Sequence, residues 1–365
     1  MALNPPKSRL IRCGALAPVA LIAVFLTASA QGQGGRAYAV FSVRGRITIL
    51  AADGNRAAVS TRVKPGCGRI IVWTAPGKDS IRVKPGTLGC SGDGVSQLAL
   101  GGGRVAWIEQ GGGNDLELSL MAARLGGGGG KQIEFATNGD RAGADPAGDW
   151  VGQLLGGGSL LAYNSWKQVC DKPANEECGE NDPFLRLTNE KLVRIIDGHR
   201  LVVTRGAAAY PLLAAGGGRM AVETAGTVTI RAASGALVAT IPDAGPHDRA
   251  ALSKTRLAIE RTLTLDLYYP ATGAAGKSLP LGADAPMPLA GVSSKLALLR
   301  GPHRLVLVRL SDGKRISFPL RPGAAATLVG ARLTEAGLFY AYNTRSASLP
   351  GRIVFEPMGK LLARL

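Results

Sequence analysis

Nine acidic residues crowd into a few short segments of an otherwise basic chain: Asp93, Asp140, Asp145, Asp149, Asp171, Glu176, Glu177, Glu180 and Asp182. Carboxylates gathered in loops can hold a cation through their oxygens or meet a basic partner by charge complementarity. Their spacing fits neither an EF-hand nor an Asp-rich repeat, so no metal site is assigned. The eight from Asp140 to Asp182 are the candidate binding residues, and the alternative is that they are solvated insertions. Other chemistry is thin. His199, His247 and His303 are far apart and each stands beside a turn residue. Neither an H-E-x-x-H pair nor a G-x-S-x-G elbow occurs, so no catalytic residue is assigned. Residues 271–278, ATGAAGKS, nearly spell a phosphate-binding loop, with Ala in place of the first Gly. That motif needs a helix after it to cradle phosphate, and here SLPLGADAP follows. A glycine hairpin explains the same letters, and no cofactor is expected.

The elements that must position these residues repeat. A glycine-rich turn precedes a short apolar strand in LALGGGRVAWIE, LLGGGSLLAYN and LAAGGGRMAVE, with worn copies in ALSKTRLAIE, GVSSKLALLR and TEAGLFYAY. The strand after each turn starts at Arg56, Arg104, Ser159, Arg219, Arg256, Lys295 and Gly337, in steps of 48, 55, 60, 37, 39 and 42 residues. Short strands punctuated by turns read as all-β, and a unit near 40–45 residues is the size of one four-stranded propeller blade. In the fourth unit the strands are YPLLAA, RMAVET, TVTIRA and ALVATI. In the sixth they are PLAGVS, KLALLR, RLVLVR and RISFPL. The expected fold is a seven-bladed β-propeller of four-stranded antiparallel blades over residues 45–365. Residues 31–44 precede it, and their strand YAVFSV is placed to pair with the last blade and close the ring. Two stacked β-sandwiches are the alternative fold.

The pattern resembles the TolB-like and WD-repeat propellers. GGG stands where their "PDG" turn would be, and RLSDGKRISF is similar to the D-x-x-T-G-K hairpins of many propellers. The full S-P-D-G motif and the Trp-Asp dipeptide are absent, so the resemblance implies architecture, with no partner or activity.

The extra length of the second and third units lies in NGDRAGADPAGDW and SWKQVCDKPANEECGENDP. The first joins an outer strand to the next inner strand, and the second joins a second strand to a third. In a propeller both connections emerge on one face, which therefore collects the acidic residues. Trp150 and Trp166 flank the insertions and are read as blade-packing residues.

Residues 1–30 read as a cleaved signal peptide: Lys7, Arg9 and Arg12, then the apolar GALAPVALIAVFL, then Ala28-Ser29-Ala30. Their removal leaves 40 basic against 26 acidic residues, a formal charge of +14. Export and the dispersal of the basic residues argue against nucleic acid as a partner. Cys13 leaves with the leader. The remaining Cys67, Cys90, Cys170 and Cys178 allow three pairings in an oxidising compartment, and sequence distance favours Cys67–Cys90 and Cys170–Cys178.

The sequence thus leads to a secreted or extracytoplasmic propeller (cell envelope or periplasm), monomeric and without catalysis, binding or scaffolding a protein or envelope component. Its rivals are a propeller-fold hydrolase or lyase with carboxylates meeting at the channel mouth to cleave glycans, and an envelope binder acting through its positive surface. A quinoprotein-like dehydrogenase is a weaker variant of the enzyme reading.

Overall fold

The computed structural model describes residues 38–64, 67–83, 94–112, 116–126, 129–138, 147–173, 176, 178–179, 182–206, 211–224, 226–242, 249–285, 287–319, 326–344 and 350–365. They form seven antiparallel four-stranded sheets. Strand β1 (Ala39–Val43) comes first. Blade 1 then holds β2 (Arg46–Asp53), β3 (Arg56–Lys64), β4 (Cys67–Thr74) and β5 (Ser80–Val83). Blade 2 holds β6 (Gly94–Gly101), β7 (Arg104–Gly111), β8 (Glu117–Arg124) and β9 (Lys131–Thr137). Blade 3 holds β10 (Gly148–Gly157), β11 (Leu160–Cys170), β12 (Leu185–Ile196) and β13 (His199–Arg205). Blade 4 holds β14 (Leu212–Gly216), β15 (Arg219–Thr224), β16 (Thr227–Ala232) and β17 (Leu237–Ile241). Blade 5 holds β18 (Arg249–Leu252), β19 (Leu257–Glu260), β20 (Thr264–Tyr268) and β21 (Ala275–Pro280). Blade 6 holds β22 (Leu289–Val292), β23 (Leu296–Arg300), β24 (Arg304–Arg309) and β25 (Arg315–Pro319). Blade 7 holds β26 (Ala326–Leu333), β27 (Gly337–Thr344) and β28 (Gly351–Pro357), and the helix α1 (Met358–Leu362) follows.

The second strands begin at Arg56, Arg104, Arg219 and Gly337 as the repeat predicts, and one residue later than expected at Leu160, Leu257 and Leu296. Blade 7 takes its fourth strand from the other end of the chain. β1 pairs antiparallel with β28, Ala39 opposite Phe355 and Val43 opposite Gly351. Phe41 of β1 stacks on Trp73 of blade 1 at 5.5 Å, so the closing strand bonds to one blade and packs on its neighbour.

The core is divided into seven wedges, each between consecutive blades. Leu296 and Leu298 of β23 face blade 7, while Ala297 and Leu299 face blade 5. A sheet covered on both sides must be apolar on both sides, which is why runs such as LALL are uninterrupted. Each fully buried leucine contributes about 2 kcal/mol. Helix α1 adds Leu361 to the wedge between blades 6 and 7. The outer position of blade 7 is filled by β1, so the chain continues from β28 into this helix instead of a fourth strand.

Candidate functional site

The meander gives the ring two unlike faces. The turns from first to second strand, and from third to fourth, lie on what we term the hairpin face. The other connections lie on the loop face.

On the hairpin face the glycine phrase acquires a second reason beyond its turn. A Cβ built on Gly101 would sit 1.9 Å from the carbonyl oxygen of Leu160 in the next blade, and one on Gly216 would sit 1.9 Å from that of Leu252. Successive inner hairpins therefore meet backbone to backbone. The N–H of Gly102 donates to the Gly158 carbonyl at 2.8 Å. That of Gly158 donates to Asp53 Oδ1 at 2.7 Å, two blades away. Burial raises the Asp53 carboxyl above its usual range, against the lowering pull of the Gly158 N–H and Arg56. In blades 5 to 7, where GGG is absent, a hydroxyl makes the turn. Ser253, Ser293 and Thr334 accept backbone N–H groups from Arg256, Leu296 and Gly337 at 3.1, 3.0 and 3.2 Å. Thr334 also donates to the Gly54 carbonyl at 2.7 Å, joining the last hairpin to the first.

The loop face carries the candidate acids that the structure describes. Asp149 stands exposed on β10, and Glu176 is exposed in the connection from β11 to β12. Asp171 is held by both arms of the Arg186 guanidinium, at 2.9 and 3.2 Å. Asp182 pairs with Lys172 and accepts the Phe184 N–H at 3.0 Å. Arg186 and Lys172 hold these two carboxyls below the usual range. The disulfide Cys170–Cys178 ties the start of this connection, with Cα atoms 5.8 Å apart. Asp93, Asp140, Asp145, Glu177, Glu180 and Cys90 lie outside the described residues, as does the side chain of Cys67, which opens β4. Trp150 and Trp166 oppose each other across β10 and β11, and Trp150 packs on the wedge between blades 2 and 3. Among the described residues, no three His, Cys, Asp or Glu side chains gather as they would around a metal ion. Residues 271–278 run from the turn into β21, and Lys277 donates to the Ser311 carbonyl.

Two basic pockets open between the later blades, and they differ in how their charges are engaged. The one on the hairpin face, about 280 Å³, includes Arg256, Tyr269, Lys277, Lys295 and Arg309 in its wall. Arg309 is paired with Asp312 at 2.8 Å, Arg256 lies 4.4 Å over the Tyr269 ring, and Lys277 is bonded as above. The other, about 370 Å³, lies beside the loop-face ends of blades 5 and 6 and is walled by Arg249, Arg300, Arg332, Pro288, Leu289 and Pro302, among others. Among the described residues, none of these three arginines has an ion pair, although Arg332 donates to the Ala331 carbonyl at 3.0 Å, whereas nearby Arg304 is held by Asp284 at 2.9 Å. Burial lowers the pKa of Arg300 and of Arg332, and a neighbouring arginine adds to each shift.

Sequence reading missed this pocket, because it took the basic residues as dispersed. A signal was present in the register of the turns. Ser253 and Ser293 make equivalent bonds to Arg256 and Leu296, so Arg300 of blade 6 stands where blade 5 has Glu260. Glu260 is buried and accepts the Leu289 N–H of the next blade at 2.6 Å. A guanidinium cannot accept that bond.

The molecule is a seven-bladed β-propeller, the architecture shared by the WD-repeat propellers that the sequence resembles. No protein-family description matches the chain, and no curated protein does. Solved structures do. The β-propeller domain of Myceliophteria thermophila Cps50 (Swd1) is similar with a TM-score of 0.50 and 12% identity, over 86% of this chain and 97% of that one. A chain of the Mitotic Checkpoint Complex scores 0.48 at 14% identity, over 96% and 99%. Saccharomyces cerevisiae Sqt1 scores 0.43 at 10%, over 86% of each chain. At 12% identity the Cps50 likeness is one of fold.

Proposed function

We propose that this chain is an exported, non-catalytic propeller that binds or scaffolds a protein or envelope component through its loop face. The observation that carries the reading is the inequality of the two faces. Inner hairpins of the hairpin face touch backbone to backbone at Gly101 and Gly216, while the loop face carries the described acids Asp149, Asp171, Glu176 and Asp182 and a disulfide on a rigid ring. Binding residues concentrate on loops held by such scaffolds. Export is supported by the leader-like residues 1–30 and by Cys170–Cys178, a bond suited to an oxidising compartment. Asp149 and Glu176 are exposed on that face, and a basic partner would meet them first.

Two measurements test this. N-terminal sequencing of the exported protein is expected to begin at Gln31, and an intact N-terminus in the cytoplasmic fraction would overturn the export reading. The purified chain, immobilised, is expected to retain a component of envelope extract. Retention should fall several-fold in the double variant Asp149→Asn, Glu176→Gln, as for rim charges that steer a partner. Unchanged retention would remove these acids from the interface. Release of sugar product from envelope polysaccharide would favour the glycan-cleaving enzyme.

A further inference from the structure

The pocket of Arg249, Arg300 and Arg332 is an expensive arrangement for a resting protein. Three positive charges share one cavity, two of them half-buried, and none forms an ion pair among the described residues; the buried Glu260, opposite Arg249 across β18 and β19, spends one oxygen on the Leu289 N–H. A surface that only needs solubility places its arginines apart in water. Here a site that serves as a backbone acceptor in blade 5, Glu260, has been given to a cation in blade 6, Arg300. Arg249 opens the inner strand of blade 5, Arg300 ends the second strand of blade 6, and Arg332 lies on the inner strand of blade 7. The arginines come from three blades, so the rigidity of the ring holds their spacing.

We propose that this cavity binds the phosphate group of a small phosphorylated molecule. Guanidinium forks match phosphate and carboxylate oxygens two at a time. Three positive charges favour a group with close to two negative charges over a single carboxylate. At about 370 Å³ the cavity falls at the lower end of small-molecule sites, and Pro288, Leu289 and Pro302 give the body of such a molecule an apolar wall. The inference is independent of the acidic loops, whose retention assay does not involve these residues.

The test is calorimetric titration of the full exported chain at low ionic strength with inorganic phosphate, glucose 6-phosphate, glucose and citrate. Glucose 6-phosphate is expected to bind more tightly than inorganic phosphate, and glucose not at all. Citrate, a polycarboxylate, should bind more weakly than either phosphate compound. Arg300→Gln and Arg332→Gln should each weaken glucose 6-phosphate about tenfold or more, the loss of a charged hydrogen bond. Arg249→Gln, at the exposed mouth, should weaken it several-fold, and Arg124→Gln on blade 2 should leave it unchanged. Arg300→Gln is also expected to melt at a higher temperature than the parent without ligand, because it relieves repulsion. This melt confirms that the variant is folded. Absence of phosphate binding, tighter binding of citrate, or an equal loss in Arg124→Gln would each overturn the proposal.

Discussion

On the hairpin face, Gly101 and Gly216 leave no room even for a methyl group, and there the inner hairpins of neighbouring blades touch through main chain. On the loop face, the charges of the side chains divide into two kinds. In blade 3, Asp171 and Asp182 are engaged by Arg186 and Lys172, groups of the same connection and its flanking strand. In blades 5 and 6, Arg249 and Arg300 have no ion pair among the described residues, nor has Arg332, which joins their cavity from the far end of the inner strand of blade 7. The acids that stand out in the sequence are thus partly neutralised by their own neighbours. The charges left open for a ligand come from residues that look unremarkable one at a time.

The sharpest way to break the contrast between faces is to put a methyl group on each. Gly216→Ala meets a backbone oxygen that no rotamer change can move, and should lose about 3 kcal/mol or more in denaturant melts. Gly179→Ala, with nothing within 4 Å of the new carbon, should be nearly neutral. Equal effects would mean that the hairpins are not tightly joined. Next in size is removal of the loop-face staple. Cys170→Ser with Cys178→Ser should cost up to about 2.5 kcal/mol by the chain-entropy relation for a short loop. The loss should show as faster amide exchange across 171–184, with the hairpin face unaffected.

The smallest effect tests the half-buried carboxylate of the hairpin face. Asp53 has a raised pKa, so its protonated form is favoured by folding. That stabilising contribution is complete below the unfolded pKa, near 4, and disappears as pH rises through the folded value. Asp53→Asn keeps an oxygen to accept the Gly158 N–H without the charge. It should melt slightly higher than the parent at pH 7 and no higher below about pH 3. A lower melting point at pH 7 would show that the charge itself holds the hairpins together.

Much of the ring was legible in the chain, for a local reason. In blades 2 to 7 a turn of GGG or a Ser or Thr cap precedes the second strand, and in blade 1 an Asp-Gly-Asn turn does, so even worn copies such as GVSSKLALLR could be registered to within one residue. The pairing of YAVFSV with the last blade and the short-range Cys170–Cys178 bond were legible too. The arginine pocket was not, because residues 249, 300 and 332 meet only when three blades close around an axis. Nor was the deeper role of Gly101 and Gly216. In sequence they mark a turn, while the carbonyls that exclude a side chain belong to Leu160 and Leu252 in the following blades.

The pairing of β1 with β28 also imposes an order in time. During synthesis β1 is among the earliest strands to emerge, yet its partner is the last. Blades 1 to 6 can form from contiguous chain while β1 waits, so the ring shuts only at the end. Closing so long a loop is entropically costly and slow. Until then β28 presents an open edge to other chains. Any passage across a membrane before that moment moves a chain that has not yet locked, and the final hydrogen bonds form where it arrives.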